Sequence, residues 1–420
     1  MKRIIINILQ GLARRVLRKY HPKVIGITGS VGKTATKEAV FAVLAKKFSA
    51  RKNIKNYNTE IGLPLTIIGA RVPGRSIIRW MSVLLKGLVL LLLKRPYPAM
   101  LVLEMGADKA GDIDELVSIA RPDVAIITAI APVHTKQFGS IAGVAKEKAK
   151  LFAAVKEGGW LVVNVDDDRV VRAAKGSSAE QVTFGIQHAD AQVRASEISV
   201  SRSNKVATGI MGMSCKLITN GTVTPVILRG EIGRHRVYPA LAAAAVARIY
   251  GIHMVDVAEA LSGLAGVAGR MRVLPGIKHT VLVDDTYNAS PSAMKCAIEA
   301  LSELDVDGRK YAVLGDMLEL GAISEAEHRA IGKLVSSLHI DVLITVGERS
   351  QDIARGAKDA GMPEDRIVSF GATGEAGLFV QRKMEQGDVV LAKGSRGMHM
   401  ERIVKEIMAE PERARELLVS

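Results

Sequence analysis

The stretch Lys23-Val24-Ile25-Gly26-Ile27-Thr28-Gly29-Ser30-Val31-Gly32-Lys33-Thr34 decides the fold of the amino-terminal half. An apolar run passes at once into a glycine-rich turn, and a helical pattern follows from Ala35. Strand, glycine turn and helix in that order form the repeating unit of a parallel α/β sheet. The glycines let backbone N–H groups close around phosphate oxygens at a helix N-terminus. Lys33 then brings positive charge to the terminal phosphates, and the Thr34 hydroxyl suits Mg²⁺. A strict eight-position phosphate loop asks for glycine at position 27, where Ile27 stands, with the glycine displaced to Gly26. The strand before and the helix after nevertheless assign Gly29, Ser30, Val31, Gly32, Lys33 and Thr34 to a nucleotide.

Outward from this unit the same rhythm continues. Met100–Leu103, Val124–Ile127 and Leu161–Val163 read as further buried strands with helical stretches between them. Residues 182–232 change character: short β-branched runs alternate, and Asn220-Gly221 signals a hairpin, so an antiparallel flap is expected. An alanine-rich helix covers Ala240–Tyr250. A second α/β rhythm follows, with strands at Val281–Asp284, Tyr311–Gly315, Val342–Val346 and Val389–Ala392. Pro275 and Gly276 break the pattern and place a boundary at 273–278. The expected organisation is a basic leader at 1–22, a central ATP-binding domain at 23–272 and a Rossmann-like α/β domain at 273–420. The charged segment 410–416 reads as a solvated helical face.

At 420 residues the chain exceeds one ordinary domain, and its 48% hydrophobic content excludes a mostly disordered protein. Two cysteines, Cys215 and Cys296, cannot build a disulfide framework and suit a reducing, cytoplasmic compartment. Fifty-eight Lys and Arg against 43 Asp and Glu leave +15, which favours anionic partners. Nucleic acid is not expected among them: aromatics are only 4%, too few for base stacking, and no recognition motif is present. The leader carries Ile5, Leu9, Leu12, Val16 and Leu17 beside Arg14, Arg15, Arg18 and Lys19, where a signal peptide would show small residues. Val83–Leu93, interrupted by Lys86 inside a basic apolar insertion at 75–95, is well short of the roughly 20 residues needed to span a bilayer. Both segments read as basic amphipathic helices, packed on the protein's own core or docked on an anionic membrane surface.

Glu104 closes the strand at 100–103, where open parallel sheets place ligand-binding groups, and its carboxylate suits Mg²⁺ or phosphate work. On spacing alone, His134 reads as a structural histidine and Lys148 as a solvated helix lysine.

Gly26–Thr34, Asn56–Thr66, Leu103–Ala107, Ile130–His134, Gly269–Met271, Asp284–Lys295, Val313–Gly321 and Lys393–Gly397 together resemble the Mur ligases, the ATP-dependent amide-forming enzymes of peptidoglycan assembly. The motifs run in family order from about residue 23 to 405. Those starting at Asp284 and Val313 are most specific to the D-alanyl-D-alanine-adding branch. The resemblance implies that Glu104 ligates one magnesium ion and His134 a second. It implies that Lys148 carries a carbon dioxide-derived carbamate, an anionic metal ligand made from a cationic amine. Arg270 and Asp284 are implied to contact the nucleotide. Asn56, Asn58, Thr59, Asn288, Lys393, Ser395 and Arg396 are implied to bind substrate: an anionic acceptor and an amino acid or dipeptide. The implied reaction is attack of a carboxylate on the ATP γ-phosphate, giving an acyl phosphate that the incoming amine then displaces.

The chain departs from the family in three places. About twenty residues precede the phosphate-loop strand, where the family carries a domain that grips a UDP-sugar; the insertion at 75–95 and the leader are the expected replacement surface. Arg236 and Pro239 stand where asparagines are usual, one of which contacts adenine, and Ala129 replaces another. The expected function is a monomeric cytoplasmic ligase adding D-alanyl-D-alanine to a UDP-N-acetylmuramoyl-peptide. The alternatives are a Mur-type ligase with another acid–amine pair, lipid-linked or polyglutamate-like, and a non-ligating ATP-binding module on a membrane.

Overall fold

The computed structural model describes residues 2–54, 57–74, 76–132 and 135–419, so the sequence assignments of Asn56 and His134 lie outside the described residues. The chain divides into two compact units. One comprises Met1–Ser196, Lys216–Thr224 and Tyr238–Leu261; the other comprises Glu197–Cys215, Pro225–Val237 and Ser262–Ser420.

The first unit opens with helix α1 (Lys2–Tyr20), strand β1 (Lys23–Thr28) and helix α2 (Lys33–Leu44). Then come β2 (Ala50–Lys52), α3 (Gly62–Ile68), α4 (Ile77–Leu92), β3 (Met100–Glu104), α5 (Asp112–Ile119) and β4 (Val124–Ile127). α6 (Thr135–Phe138), α7 (Ile141–Ala153), β5 (Trp160–Asn164), α8 (Asp168–Ala174) and β6 (Glu180–Gly185) complete the parallel part. The sheet order is β2-β3-β1-β4-β5-β6, extended by β7 (Val193–Arg202), β8 (Ile210–Thr219) and β9 (Thr222–Arg229). β1 is buried from Val24 to Thr28 and lies parallel between β3 and β4, as expected of a doubly covered strand. The flap is smaller than the sequence implied. β6 pairs in parallel with β5, Val162 opposite Val182, and so belongs to the main sheet. Asn220 and Gly221 do turn the chain between β8 and β9, both with positive φ (48° and 78°), as a two-residue primed turn requires.

The leader is not a separate element. Leu9, Leu12, Ala13 and Val16 of α1 are buried in one core with Leu63, Leu65, Ile67 and Ile68 of α3, Val83 and Leu90 of α4, and residues of β1, β3 and β4. Lys19 Nζ donates to the carbonyls of Leu90, Leu91 and Leu93 at 2.9, 2.8 and 3.0 Å, satisfying the open end of α4. Among the described residues no helix is long and apolar enough to cross a membrane.

The second unit holds a six-stranded sheet in the order β10-β11-β15-β12-β13-β14. Its strands are β10 (Arg272–Pro275), β11 (Val281–Asp285), β12 (Lys310–Gly315), β13 (Val342–Val346), β14 (Ile367–Phe370) and β15 (Val389–Lys393). The pattern break at 273–278 contains a strand the sequence reading passed over: β10 runs antiparallel to β11, Leu274 opposite Leu282. The remaining pairs are parallel. In the segment 410–416, Arg413 bridges Glu410 and Glu416 at 2.6 and 2.8 Å, the charged face expected there.

Because Leu9 is fully buried and Ile8 is 48% exposed, the two should respond differently to truncation. Leu9→Ala should lower stability by about 2–5 kcal/mol, and Ile8→Ala should stay within about 0.5 kcal/mol, in urea unfolding of the full chain. Equal, small effects would mean that α1 is detached in solution.

Candidate active site

The site of the first unit is built where three parallel strands end together. Ile27 pairs with Glu104 and Thr28 with Ile127, so the loop at 29–34 leaves β1 level with the ends of β3 and β4. Gly29 and Gly32 carry positive φ (150° and 83°), and a Cβ on Gly29 would lie 1.9 Å from Thr128 Oγ1, so glycine is required there. Residues after β4 clamp the loop. Ser30 N donates to Ala129 O at 2.7 Å, the Thr128 hydroxyl donates to Val31 O at 2.5 Å, and Ala131 N donates to Ser30 Oγ at 2.9 Å. Lys33 and Thr34 then start α2, with Gly32 as its N-cap. Lys33 Nζ donates to Gly29 O at 2.7 Å.

Glu104 is 3% exposed. Its Oε2 accepts from Thr34 Oγ1 at 3.0 Å and its Oε1 from Asn58 Nδ2 at 3.2 Å. Two further partners were missed in the sequence. Lys37 lies one helical turn beyond Lys33, is 1% exposed, and sits with its Nζ 3.6 Å from Glu104 Oε2. The i, i+4 spacing from the loop lysine was its only signal. Asn53, fully buried, pins the Glu104 backbone from both sides: its Oδ1 accepts from Glu104 N at 2.9 Å, and its Nδ2 donates to Glu104 O at 3.0 Å. The spacing gave no sign of that. A hydroxyl and a carboxylate 3.0 Å apart at a phosphate loop form a hard-oxygen pair that fits Mg²⁺. Among the described residues no three His, Cys, Asp or Glu side chains gather into a metal site by themselves. Phosphate and water oxygens would therefore complete the shell.

Lys148 overturns the solvated reading. It is 2% exposed on α7 and its ammonium is pushed down to about 7, first by burial and then by the positive charge of Lys33, against the pull of Asp108 and Glu147. Its neighbour Glu147 is buried too and accepts from Ile113 N at 2.8 Å. An amine close to half neutral near pH 7 is the form that adds carbon dioxide, so Lys148 fits a carbamate. Beside this cluster Asn58, Thr59, Gly106, Asp108, Lys109 and Asp112 line a cleft of about 370 Å³. Thr59 is exposed, and its Oγ1 accepts from Gly62 N at the start of α3.

The remaining assignments fall in the second unit. Asp284 is fully buried, accepting from Gly269 N at 2.9 Å and from Thr286 Oγ1 at 2.6 Å; burial raises its carboxyl to about 6 despite those hydrogen bonds. Arg270 stacks over the Tyr287 ring, 4.0 Å from its centroid. Lys393, read as a substrate contact, is 1% exposed and held at 2.5 Å by Asp285 Oδ2, and it also donates to Asn288 O at 3.0 Å. It braces that loop internally. Ser395 Oγ accepts from Leu318 N at 2.8 Å. Arg396 lies 3.7 Å from Glu401. Arg236 is committed to Glu231, through Nε at 2.8 Å and Nη2 at 2.5 Å.

This combination defines a phosphate-loop nucleotide-binding unit joined in sequence to a second, mostly parallel α/β unit. Residues 87–247 match the Mur ligase middle domain and residues 269–396 the Mur ligase, glutamate ligase domain. The chain belongs to the Mur ligase family. It is 34% identical to the UDP-N-acetylmuramoyl-tripeptide–D-alanyl-D-alanine ligase of Bacillus subtilis, over 97% of this chain and 80% of that one. A MurF ligase from Thermotoga maritima, solved in complex with ADP, superposes with TM-score 0.77 at 26% identity, covering 98% of this chain and 84% of its own. A MurF from Acinetobacter baumannii gives TM-score 0.76 at 28% identity, over 94% and 79%.

The position of Lys148 has a measurable consequence. Between about pH 7 and the ordinary lysine value near 10.4, the folded chain binds fewer protons than the unfolded chain at this residue. The cost of burying the ammonium is therefore complete below pH 7 and is relieved as pH rises through that window. In denaturant titrations the stability of wild type relative to Lys148→Met should climb from pH 7 to pH 10. A pH-independent difference would contradict the burial.

Proposed function

We propose that this chain is an ATP-dependent, ADP-forming ligase that joins D-alanyl-D-alanine, or a similar amine, to the terminal carboxylate of a UDP-N-acetylmuramoyl-peptide. The observation that carries the reading is the convergence of Lys33, Thr34, Glu104 and the depressed Lys148 on one edge of the sheet. The 34% identity over nearly the whole chain supplies the substrate class.

The acceptor carboxylate attacks the γ-phosphorus of ATP, ADP leaves, and an acyl phosphate forms. The amine then attacks the acyl carbon, inorganic phosphate departs, and the amine loses a proton. No protein nucleophile is needed. The obstacle is repulsion between carboxylate and triphosphate, so the chain's work is placement and charge compensation. Backbone N–H groups of residues 31–34 cradle the phosphates, and Lys33 exchanges its loop carbonyls for phosphate oxygens. Thr34 and Glu104 hold Mg²⁺, with Asn58 and Lys37 fixing the carboxylate. When bound, Mg²⁺ supplies neutralisation of the triphosphate and polarisation of the phosphoryl oxygens. The neutral Lys148 amine adds to carbon dioxide and releases one proton, giving an anionic carbamate that offsets Lys33 and, with His134, serves the second ion. The cleft beside Asn58 and Thr59, with Asn56, takes the acceptor. Arg270 and Asp284 contact the nucleotide, and the loops carrying Asn288, Ser395 and Arg396 take the amine. Lys393 acts by fixing the Asn288 loop. We assign the central ATP-binding domain to 23–272 and the amine-side domain to 273–420, acting as a cytoplasmic monomer.

Phosphate release from ATP should require both UDP-N-acetylmuramoyl-tripeptide and D-alanyl-D-alanine, and should fall on the order of 10²-fold in Lys148→Ala. Labelled bicarbonate should give a carbamate carbon resonance that the same variant lacks. Release indifferent to the dipeptide would reject the amine assignment, and release without the sugar-peptide would reject the acceptor.

A further inference from the structure

Helix α4 has two apolar faces, and only one is covered. Val83, Gly87 and Leu90 turn inward, and Gly87 admits Leu12 of α1, whose Cδ1 would lie 3.3 Å from a Cβ at that position. The outer face carries Ile77, Ile78, Met81, Leu85, Leu88 and Leu92, exposed by 45–81%. From Ile78 onward they step by three and four residues, and with Ile77 beside Met81 they form one stripe along the helix. Six large apolar side chains on one solvent-facing stripe mark an interaction surface rather than scattered surface residues. The face is preformed: Ser76 caps its amino end, and Lys19 and Tyr20 of α1 bind the carbonyls at its carboxyl end.

Charge identifies the occupant. Residues 1–37 contain nine Lys and Arg and no Asp or Glu, and residues 61–103 contain six and again none. These fifteen equal the whole +15 excess, and the other 43 cations of the chain match its 43 acids. The two acid-free segments meet in space, because α1 packs on α4. Arg79, Lys86, Lys94 and Arg95 are exposed along or just after α4, and Arg15, Arg18 and Lys19 are exposed on α1. An apolar stripe with cations and no acids is complementary to a surface with an apolar interior and anionic headgroups. Sixteen residues give a helix about 24 Å long, short of the roughly 30 Å hydrocarbon core, which suits a helix lying in the interface plane.

We propose that the outer face of α4, flanked by the basic end of α1, docks this chain on a bilayer rich in anionic phospholipid. The inference does not rest on the ligase reading, and binding tests it separately from activity. The full chain is floated with vesicles of phosphatidylcholine alone and of phosphatidylcholine mixed with phosphatidylglycerol. Binding should rise with phosphatidylglycerol and fall with salt. The variant Ile78→Ser/Met81→Ser/Leu85→Ser, altered only at exposed positions, should lose at least about tenfold in partitioning while its thermal midpoint stays unchanged. Arg79→Glu/Lys94→Glu/Arg95→Glu should lose binding to the anionic vesicles at least about tenfold. Three results would each overturn the proposal: wild type that ignores anionic vesicles, a serine variant that binds as well as wild type, or light scattering that shows a dimer which the serine changes dissociate.

Discussion

The parallel register of β1 between β3 and β4 is the constraint on which the candidate site depends. It sets Ile27 beside Glu104 and Thr28 beside Ile127, so three chain exits leave the sheet at one level. From that follow the phosphate loop after β1, the carboxylate ending β3, and the Thr128–Ala131 segment that grips the loop backbone. The closeness explains Gly29 as well, since the Thr128 hydroxyl occupies the space a side chain would need. A slip of one residue in the β1–β3 pairing would carry Glu104 to the other face of the sheet. It would separate that carboxylate from Thr34, whatever the sequence of the loop.

Burial then turns this alignment into electrostatics. Glu104 and Lys37 are both nearly inaccessible, so their attraction is weakly screened and the carboxylate is fixed in place. Lys148 is buried beside a like charge, and the amine yields by losing its proton near neutrality rather than by moving to solvent. Charge is thus arranged around the phosphate loop by depth and not by number. The second unit uses the same device for structure: Lys393 and Asp285 pair inside the sheet edge and hold the Asn288 loop, while Asp284 anchors the backbone at Gly269.

Much of this was legible in the sequence because parallel strands are continuous apolar runs, and β1, β3, β4, β5, β11, β12, β13 and β15 announce themselves that way. β2, β10 and β14 did not, since three or four residues at a sheet edge carry too little pattern. β6 was legible as a strand but not as a parallel one, because pairing partners lie outside any local window. The loop residues and Glu104 stood out by position at strand ends. Lys148 stood out only through family resemblance, because solvation and burial of a helix lysine look alike in one dimension. Asn53 was invisible for a related reason: its role is to bind the backbone of a residue fifty-one positions away. Lys393 stood out by its motif, whereas its pairing with Asp285, on a strand 108 positions away, had no local signal.

The distribution of net charge sharpens this point. A +15 chain that handles a triphosphate invites the reading that the excess serves the nucleotide, yet only Lys33 and Lys37 of the fifteen unmatched cations stand at the phosphate loop. Around them are Glu104, Asp108, Asp112 and Glu147, so the local balance there is not strongly positive. Most of the rest lie on α1 and along or beside α4, whose apolar outer stripe has no counterpart elsewhere among the exposed large hydrophobic residues described. An excess needed only for solubility would be spread over the surface. One concentrated on two packed helices and the residues just after them acts as a local field within about a Debye length. The anionic partner that the composition implies is therefore to be sought at those helices, apart from the nucleotide that the loop accommodates.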